Sequence, residues 1–576
     1  MHATQSSGAL AALAERYWRM LCREFPTTAI AAGEATDDDV LFRESPDDYD
    51  RRDGQTRTLI AELDGLDAMG LFAQDRATLQ LLRHELHDAR RLYEVDAHLR
   101  PVLFPAGPAY VTTAVANTTT PADAASAGRY VDRLETLPAY FSDLQDALRL
   151  GHARGIRYPR VVLAHAVDGL RALATDEGSR VWLGPFERSA AAGSEALRRE
   201  AVRARGVVDE QVRPALAAFA AFLEGPLSKG ARDTVACTDA PDGRDFYRVL
   251  VGHFTTSSLS PDDIHELGRA EVARLEAEIA TVAADAGYGG DLPRYRNWLT
   301  SEACVAASAD ALREQVEALC KRIDRRIPEF FGRIPRITYG VASIPQSVAE
   351  RMPPAYAQPN PADCTSPGLY WITSLPARFP THLVVPITLH EAWPGHLMHI
   401  ALMQEADGLP AFRRHGALRH LVCLEGWALY CERLGIDMGF YRTPHQHYGR
   451  LESELWRAVR LVVDTGLHWL GWSREQAVHY MASRLALPTA TIEGEVDRYI
   501  GWPGQALIYH LGNLEFRALR ERAARRLGDR FDLRRFHDAL MAAGALTLPV
   551  LREVMDAWMD EQDGPPRREE PAHAPA

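Results

Sequence analysis

Helical periodicity runs through most of this chain and gives way to strand-like sequence in one place; no other feature restricts its fold as much. Over 75–95, 127–150 and 261–286, apolar residues recur at i, i+3 and i+4 with charges between them, as in helices that bury one face. The start of the third is sharply marked. In SLSPDDIHELGRAEV, Ser260 can cap, Pro261 suits the first helical position, and Asp262 and Asp263 suit the dipole. Strand signals cluster between 334 and 374, where RITYGVASI and GLYWITS are β-branched and aromatic. The Pro-rich MPPAYAQPNPADCTSPG between them reads as a loop. The expectation is a mainly α protein with one small β element. A continuous domain would cover 1–560, divisible into lobes at about 1–255 and 256–560, with 561–576 a disordered tail.

Composition narrows the function classes. A net charge of -13 argues against a sequence-independent nucleic-acid binder, which needs a basic face to neutralise phosphates. Seven scattered cysteines, odd in number and without a Cys-x-x-Cys pair, fit reduced thiols. Residues 9–22 include Glu15, Arg16 and Arg19, so no apolar signal core forms there, and no uncharged apolar run approaches membrane-spanning length. A cytoplasmic protein without membrane or nucleic-acid partners is expected, as a monomer or homodimer.

The chemistry concentrates in LHEAWPGHLMHI, residues 389–400. A zinc-peptidase helix usually carries His-Glu-x-x-His, with imidazoles one turn apart. Here the second histidine comes six residues after His390, at His396. On a straight helix of about 100° per residue the two would diverge by roughly 120°. Pro394 cannot continue the hydrogen-bond ladder and Gly395 tolerates the angles of a break, so the pair could be re-aimed onto one ion. The alternative is a helix end bearing two unrelated histidines. Glu425, in HLVCLEGWALYCERLG, sits in an apolar setting where a carboxylate needs a metal or a salt bridge to an arginine. Two histidines and a glutamate leave a fourth position for water, and Glu391 could act as its general base.

Two further segments carry candidates. In WRAVRLVVDTGLHWL, Arg457, Arg460, Asp464 and His468 fall on one narrow face of an otherwise apolar helix, either a buried polar stripe or a solvent face. In EVDRYIGWPGQALIYHLGN, Tyr499 and Tyr509 could donate to an oxyanion or be core tyrosines. Arg457, Arg460 and Arg498 could bind a substrate carboxylate bidentately, favouring short peptides or a free C-terminus. GLYWITS, with Trp371, could pair with an extended peptide as an added strand.

HEAWPGH, EGWALYCERLG, LWRAVRLVVDTGLH, EVDRYIGWPGQALIYHLG and FDLRRFHDALMAAGALTLPVL resemble, in that order, the bacterial DUF885 family. TTSSLSPDDIHELGRAEVARLEAEI and YVDRLETLPAYF are similar too, so the likeness spans nearly the whole chain. The resemblance implies an elongated multi-helix body with a cleft and a gluzincin-like zinc site. It implies His390, His396 and Glu425 as ligands of one Zn²⁺ per chain, with Glu391 as the base. Two departures stand out. The family commonly reads His-His-Leu-Gln after Pro-Gly, where this chain has His396-Leu397-Met398-His399, and it often has Lys where this chain has His510, a position that touches how an anionic substrate group is held. The expected activity is zinc-dependent hydrolysis of amide bonds in short peptides, with Tyr509 or His468 at the oxyanion. Two alternatives are hydrolysis of a non-peptide amide, lactone or biosynthetic intermediate, and a metal-containing binding protein without turnover.

Overall fold

The structure, a computed structural model, describes residues 2–34, 41–68, 70–189, 193–346, 349–350 and 352–563. It is mainly helical with one three-stranded sheet. The elements that matter for the site are α1 (Ala73–Glu94), α2 (Pro261–Asp285), strands β1 (Tyr339–Ser343), β2 (Ala355–Gln358) and β3 (Gly368–Ile372), then α3 (Thr381–Glu391), α4 (His396–Gln404), α5 (Leu421–Leu434), α6 (Pro444–His468), α7 (Thr489–Gly501), α8 (Ile508–Leu527) and α9 (Leu548–Asp563). Among the described residues, no helix is long and apolar enough to cross a membrane. All seven cysteines are unpaired thiols.

Local signals explain several boundaries. α2 starts where its caps place it: Ser260 Oγ accepts from the Asp263 N–H, and Asp263 returns a bond to the Ser260 N–H. The periodic stretch 127–150, by contrast, is two helices, Ala124–Glu135 and Leu137–Ala153. Pro138 has no N–H to extend the first ladder and starts the second helix instead. At the C-terminus α9 continues to Asp563, so 561–563 are helical, and 564–576 lie outside the described residues.

The sheet has order β1-β3-β2, with β1 parallel and β2 antiparallel to β3. β2 is the AYAQ segment inside the stretch expected to be a loop. Its pairing makes β3 the central strand, hydrogen-bonded on both sides, so GLYWITS offers no free edge to an extended peptide. Trp371 lies opposite Tyr356, and its indole N–H donates to Gln358 Oε1 at 2.8 Å. Tyr370 on the other face is fully buried against α3, its hydroxyl 3.5 Å from Thr388 Oγ1.

Two large hydrophobic cores interleave along the chain rather than dividing at residue 255. One combines residues 10–86 with 312–441 and 516–559; the other combines 41–299 with 448–506. α3, α4 and α5 belong to the first, and the apolar face of α6 belongs to the second. Where α5 crosses α8, Gly426 and Gly512 meet: a Cβ on Gly426 would lie 2.4 Å from the Gly512 Cα. Only glycine lets the two backbones come this close, and the crossing fixes the position of Glu425 on α5.

The first core also holds a buried charge cluster on α1. Glu85 accepts from Tyr17 Oη (2.5 Å) and Arg419 Nε (2.7 Å), and lies 2.9 Å from His420 Nε2. Burial alone would raise its pKa, but Arg419 and His420 outweigh burial and hold it at about 2. The folded-state value is therefore depressed below the unfolded one. The stabilisation is present above about pH 4.5 and is lost as pH falls through about 2. Glu85→Gln should cost about 3 kcal/mol at pH 7, the order expected for breaking a buried ion pair. Its deficit relative to wild type should shrink below pH 4.5. Urea unfolding midpoints at pH 7, 4 and 3 test this.

Candidate metal centre

α3 is apolar on nearly all sides, with Val384, Val385 and Leu389 buried and its C-terminal His390 3% exposed. The helix ends at Glu391. The chain turns through Ala392–Gly395 and restarts as α4 at His396. Trp427 of α5 pins the turn, its indole N–H donating to the Pro394 carbonyl at 2.9 Å. Gly395 has φ -70 and ψ -135. Proximity by itself requires glycine there: a Cβ would lie 1.9 Å from the His390 carbonyl oxygen and 2.5 Å from that of Leu389. The break thus folds α4 back onto the end of α3.

This fold-back brings the imidazoles together, ring centroids 4.8 Å apart and planes perpendicular. Glu425 approaches from α5, its Oε2 3.3 Å from His390 Nε2 and 3.5 Å from His396 Nε2. That oxygen is buried yet makes no hydrogen bond of acceptable geometry. Two ligands about 2.0–2.1 Å from a tetrahedral zinc lie roughly 3.3–3.4 Å from each other. The spacing and the orphaned oxygen both fit a tetrahedral dication among the three atoms. Burial would raise the Glu425 pKa, but His396 and His390 outweigh it and hold the carboxyl well below its ordinary range. His399 is no ligand. It packs edge-on to Trp427, and burial pushes it down to about 3, keeping it neutral.

A residue the sequence reading missed braces the first imidazole. His390 Nδ1 lies 2.9 Å from Glu432 Oε1, so Nδ1–H donates to the carboxylate and Nε2 is left with its lone pair for a metal. Glu432 follows Glu425 by seven residues on α5, two turns along the same face. That spacing was the available signal. Glu432→Gln should weaken zinc binding by about 10–100-fold with little change in fold, measured by competition with a chromophoric chelator.

Glu391 is partly exposed at the end of α3. Burial raises its pKa most, Glu425 adds to the rise, and the two imidazoles oppose it, for a net upward shift. A carboxylate made more basic beside a water position is suited to accept a proton.

The remaining sequence candidates separate into two groups. His468 is fully buried and committed: Nδ1 accepts from the Cys237 N–H (3.1 Å), and Nε2–H donates to the Tyr499 carbonyl (3.0 Å). Burial pushes it down to about 4. Tyr499 donates to Glu495 (2.7 Å) and accepts from Arg460 Nε (3.0 Å), so its proton is spent. Neither is free for an oxyanion. His510 is also fully buried, its Nε2 3.1 Å from Glu271 of α2, and does not join the triad. Glu271, Glu454 and His510 do cluster closely. Their carboxylates, however, are already held by Arg274 (2.7 and 3.1 Å), Arg450 (3.0 Å) and Arg517 (2.9 Å), guanidiniums that never deprotonate. The cluster is an ion network, not a cation site.

Tyr509 is different. Half-buried on α8, its hydroxyl accepts from Gln505 at 3.4 Å, and its proton has no acceptor among the described residues. The polar stripe of α6 is buried rather than solvated. Asp464 takes the Tyr247 hydroxyl (2.6 Å), Arg457 faces Glu432 (3.9 Å), and Arg460 faces Glu495 of α7 (3.2 Å).

Comparison with known proteins places this architecture. A crystal structure titled as a putative lipoprotein from Colwellia psychrerythraea superposes with a TM-score of 0.90 at 26% identity, covering 96% of this chain and 99% of that one. A putative lipoprotein of unknown function from Shewanella oneidensis shares the fold with a TM-score of 0.70 at 16% identity, covering 95% and 99%. No curated protein matches. The model of the family described as "Bacterial protein of unknown function (DUF885)" matches residues 26–555, nearly the full length, and the chain belongs to that family.

Proposed function

We propose that the protein is a zinc-dependent hydrolase, a gluzincin-like metallopeptidase that cleaves amide bonds of short peptides. The observation that carries this reading is the convergence of His390, His396 and Glu425 at tetrahedral ligand spacing, with the basic, partly exposed Glu391 beside them. Three protein ligands leave an open position, as in catalytic rather than structural zinc sites. When bound, the ion supplies Lewis-acid polarisation and a water acidified to about pKa 7. Glu391 takes the proton of the attacking water and delivers it to the departing amine nitrogen as the C–N bond breaks, giving a carboxylate and an amine. Tyr509 holds its free hydroxyl proton for the carbonyl oxygen, whose charge grows during attack. Glu432 fixes the His390 ring, and the buried walls of α3, α5 and α6 keep bulk water from the inner side.

The test combines metal analysis with a screen of di- and tripeptides, small amides and lactones. One equivalent of zinc and peptide hydrolysis that stops on chelation and returns with zinc are expected. Turnover confined to lactones or non-peptide amides would replace the substrate class. Bound zinc with no turnover on any compound would leave a binding protein.

A further inference from the structure

Beside the triad, buried guanidiniums keep donor atoms that no partner satisfies. Arg457 is nine-tenths buried. Its Nη1 donates to Ser453 Oγ (2.6 Å), while its Nε has no partner. Arg460, equally buried, is fixed by Tyr499 through Nε and by Glu495 through Nη2 (3.2 Å), which leaves Nη1 unpartnered. Its guanidinium lies between aromatic rings, 4.4 Å from the Tyr509 centroid and 4.9 Å from that of Trp456. Arg498 donates to Gln505 (2.9 Å), the residue that also contacts the Tyr509 hydroxyl. Trp456, Arg498 and Tyr509 are partly exposed, so the buried donors lie behind a solvent-reachable rim.

Position points the same way. Arg457 lies 3.9 Å from Glu432, the carboxylate that braces His390 on the side away from its metal-facing nitrogen, and Arg460 follows one helical step of roughly 4.5 Å further along α6. The row of guanidiniums thus runs along α6 from the residue that orients the first imidazole.

We propose that Arg457, Arg460 and Arg498, with the Tyr509 face, clamp the free C-terminal carboxylate of a peptide whose scissile carbonyl sits at the triad, so that the enzyme cleaves peptides from their C-terminal end. The cleavage half of this statement rests on the hydrolase reading; the carboxylate clamp does not. Arg460 is its centre, held rigid by Tyr499 and Glu495 and presenting one spare donor edge.

The test uses zinc-loaded full-length Glu391→Gln protein and titration calorimetry with N-acetyl-Phe-Ala-Leu as the free acid and as the C-terminal amide. The amide is expected to bind at least about tenfold more weakly, because it offers no charge to the buried donors. Arg460→Met added to that protein should bring the acid to the affinity of the amide. Should that variant fail to fold, the acid-to-amide comparison decides alone. Affinities equal within twofold, or binding of neither compound, would overturn the clamp. A tenfold acid preference in a protein whose wild type hydrolyses no peptide would keep the clamp and remove the hydrolase reading. Hydrolysis of acid and amide at equal rates would do the reverse.

Discussion

Glu391→Gln is expected to keep one zinc per chain and to lower amide hydrolysis by about 10²–10⁴-fold, the range that a positioned general base supplies. Glu391 is not among the three converging ligand atoms, so its loss leaves the metal set intact. Gln is nearly isosteric and cannot take a proton, whereas burial shifts the Glu391 carboxyl upward. Metal content by mass spectrometry and kcat on the best peptide of the screen are the two measurements. Undiminished turnover with zinc retained would remove Glu391 from the base role, and loss of the metal would show that it supports the ligands instead.

Gly395→Ala should have the largest structural effect of any single methyl addition at the site. The new Cβ would sit 1.9 Å from the His390 carbonyl oxygen, a backbone atom that cannot swing aside. α4 would have to move away from α3, which carries His396 off and opens its 3.5 Å contact with Glu425. Zinc affinity is expected to fall at least about 100-fold, and stability by about 1–3 kcal/mol, as for overpacking in a tight interior. Gly408→Ala serves as the control, since its Cβ would meet nothing within 4 Å. Equal zinc affinity in the two variants would show that the fold-back tolerates the methyl and that the close approach is not what aligns the ligands.

Much of the molecule was legible before the structure because the relevant physics is local. The cap and dipole signals at Ser260–Asp263 act within one turn, and α2 begins where they sit. The β-branched and aromatic residues of RITYGVASI and GLYWITS marked β1 and β3 for the same reason. β2 escaped because four residues between prolines carry almost no periodicity. Only pairing with β3 makes them a strand, and the same pairing closed the edge that a peptide was expected to use. His468, Tyr499 and His510 have suitable chemistry and suitable spacing, yet their hydrogen-bond partners come from elements 31 to 239 residues away, or from their own helix, and no window of sequence displays them.

What the amino-acid sequence determined by itself was the set of candidate side chains and the place of the interruption: two histidines, two glutamates and a Pro-Gly that no straight helix can pass. Whether those side chains share one point in space was decided by tertiary packing. The Trp427 bond to the Pro394 carbonyl, the bare backbone at Gly395 and the Gly426–Gly512 crossing place α4 and α5 against the end of α3. The physical reason is range. Proline and glycine act on their own backbone angles and hydrogen bonds, whereas a coordination geometry good to a few tenths of an ångström depends on close contacts among helices that lie far apart along the chain.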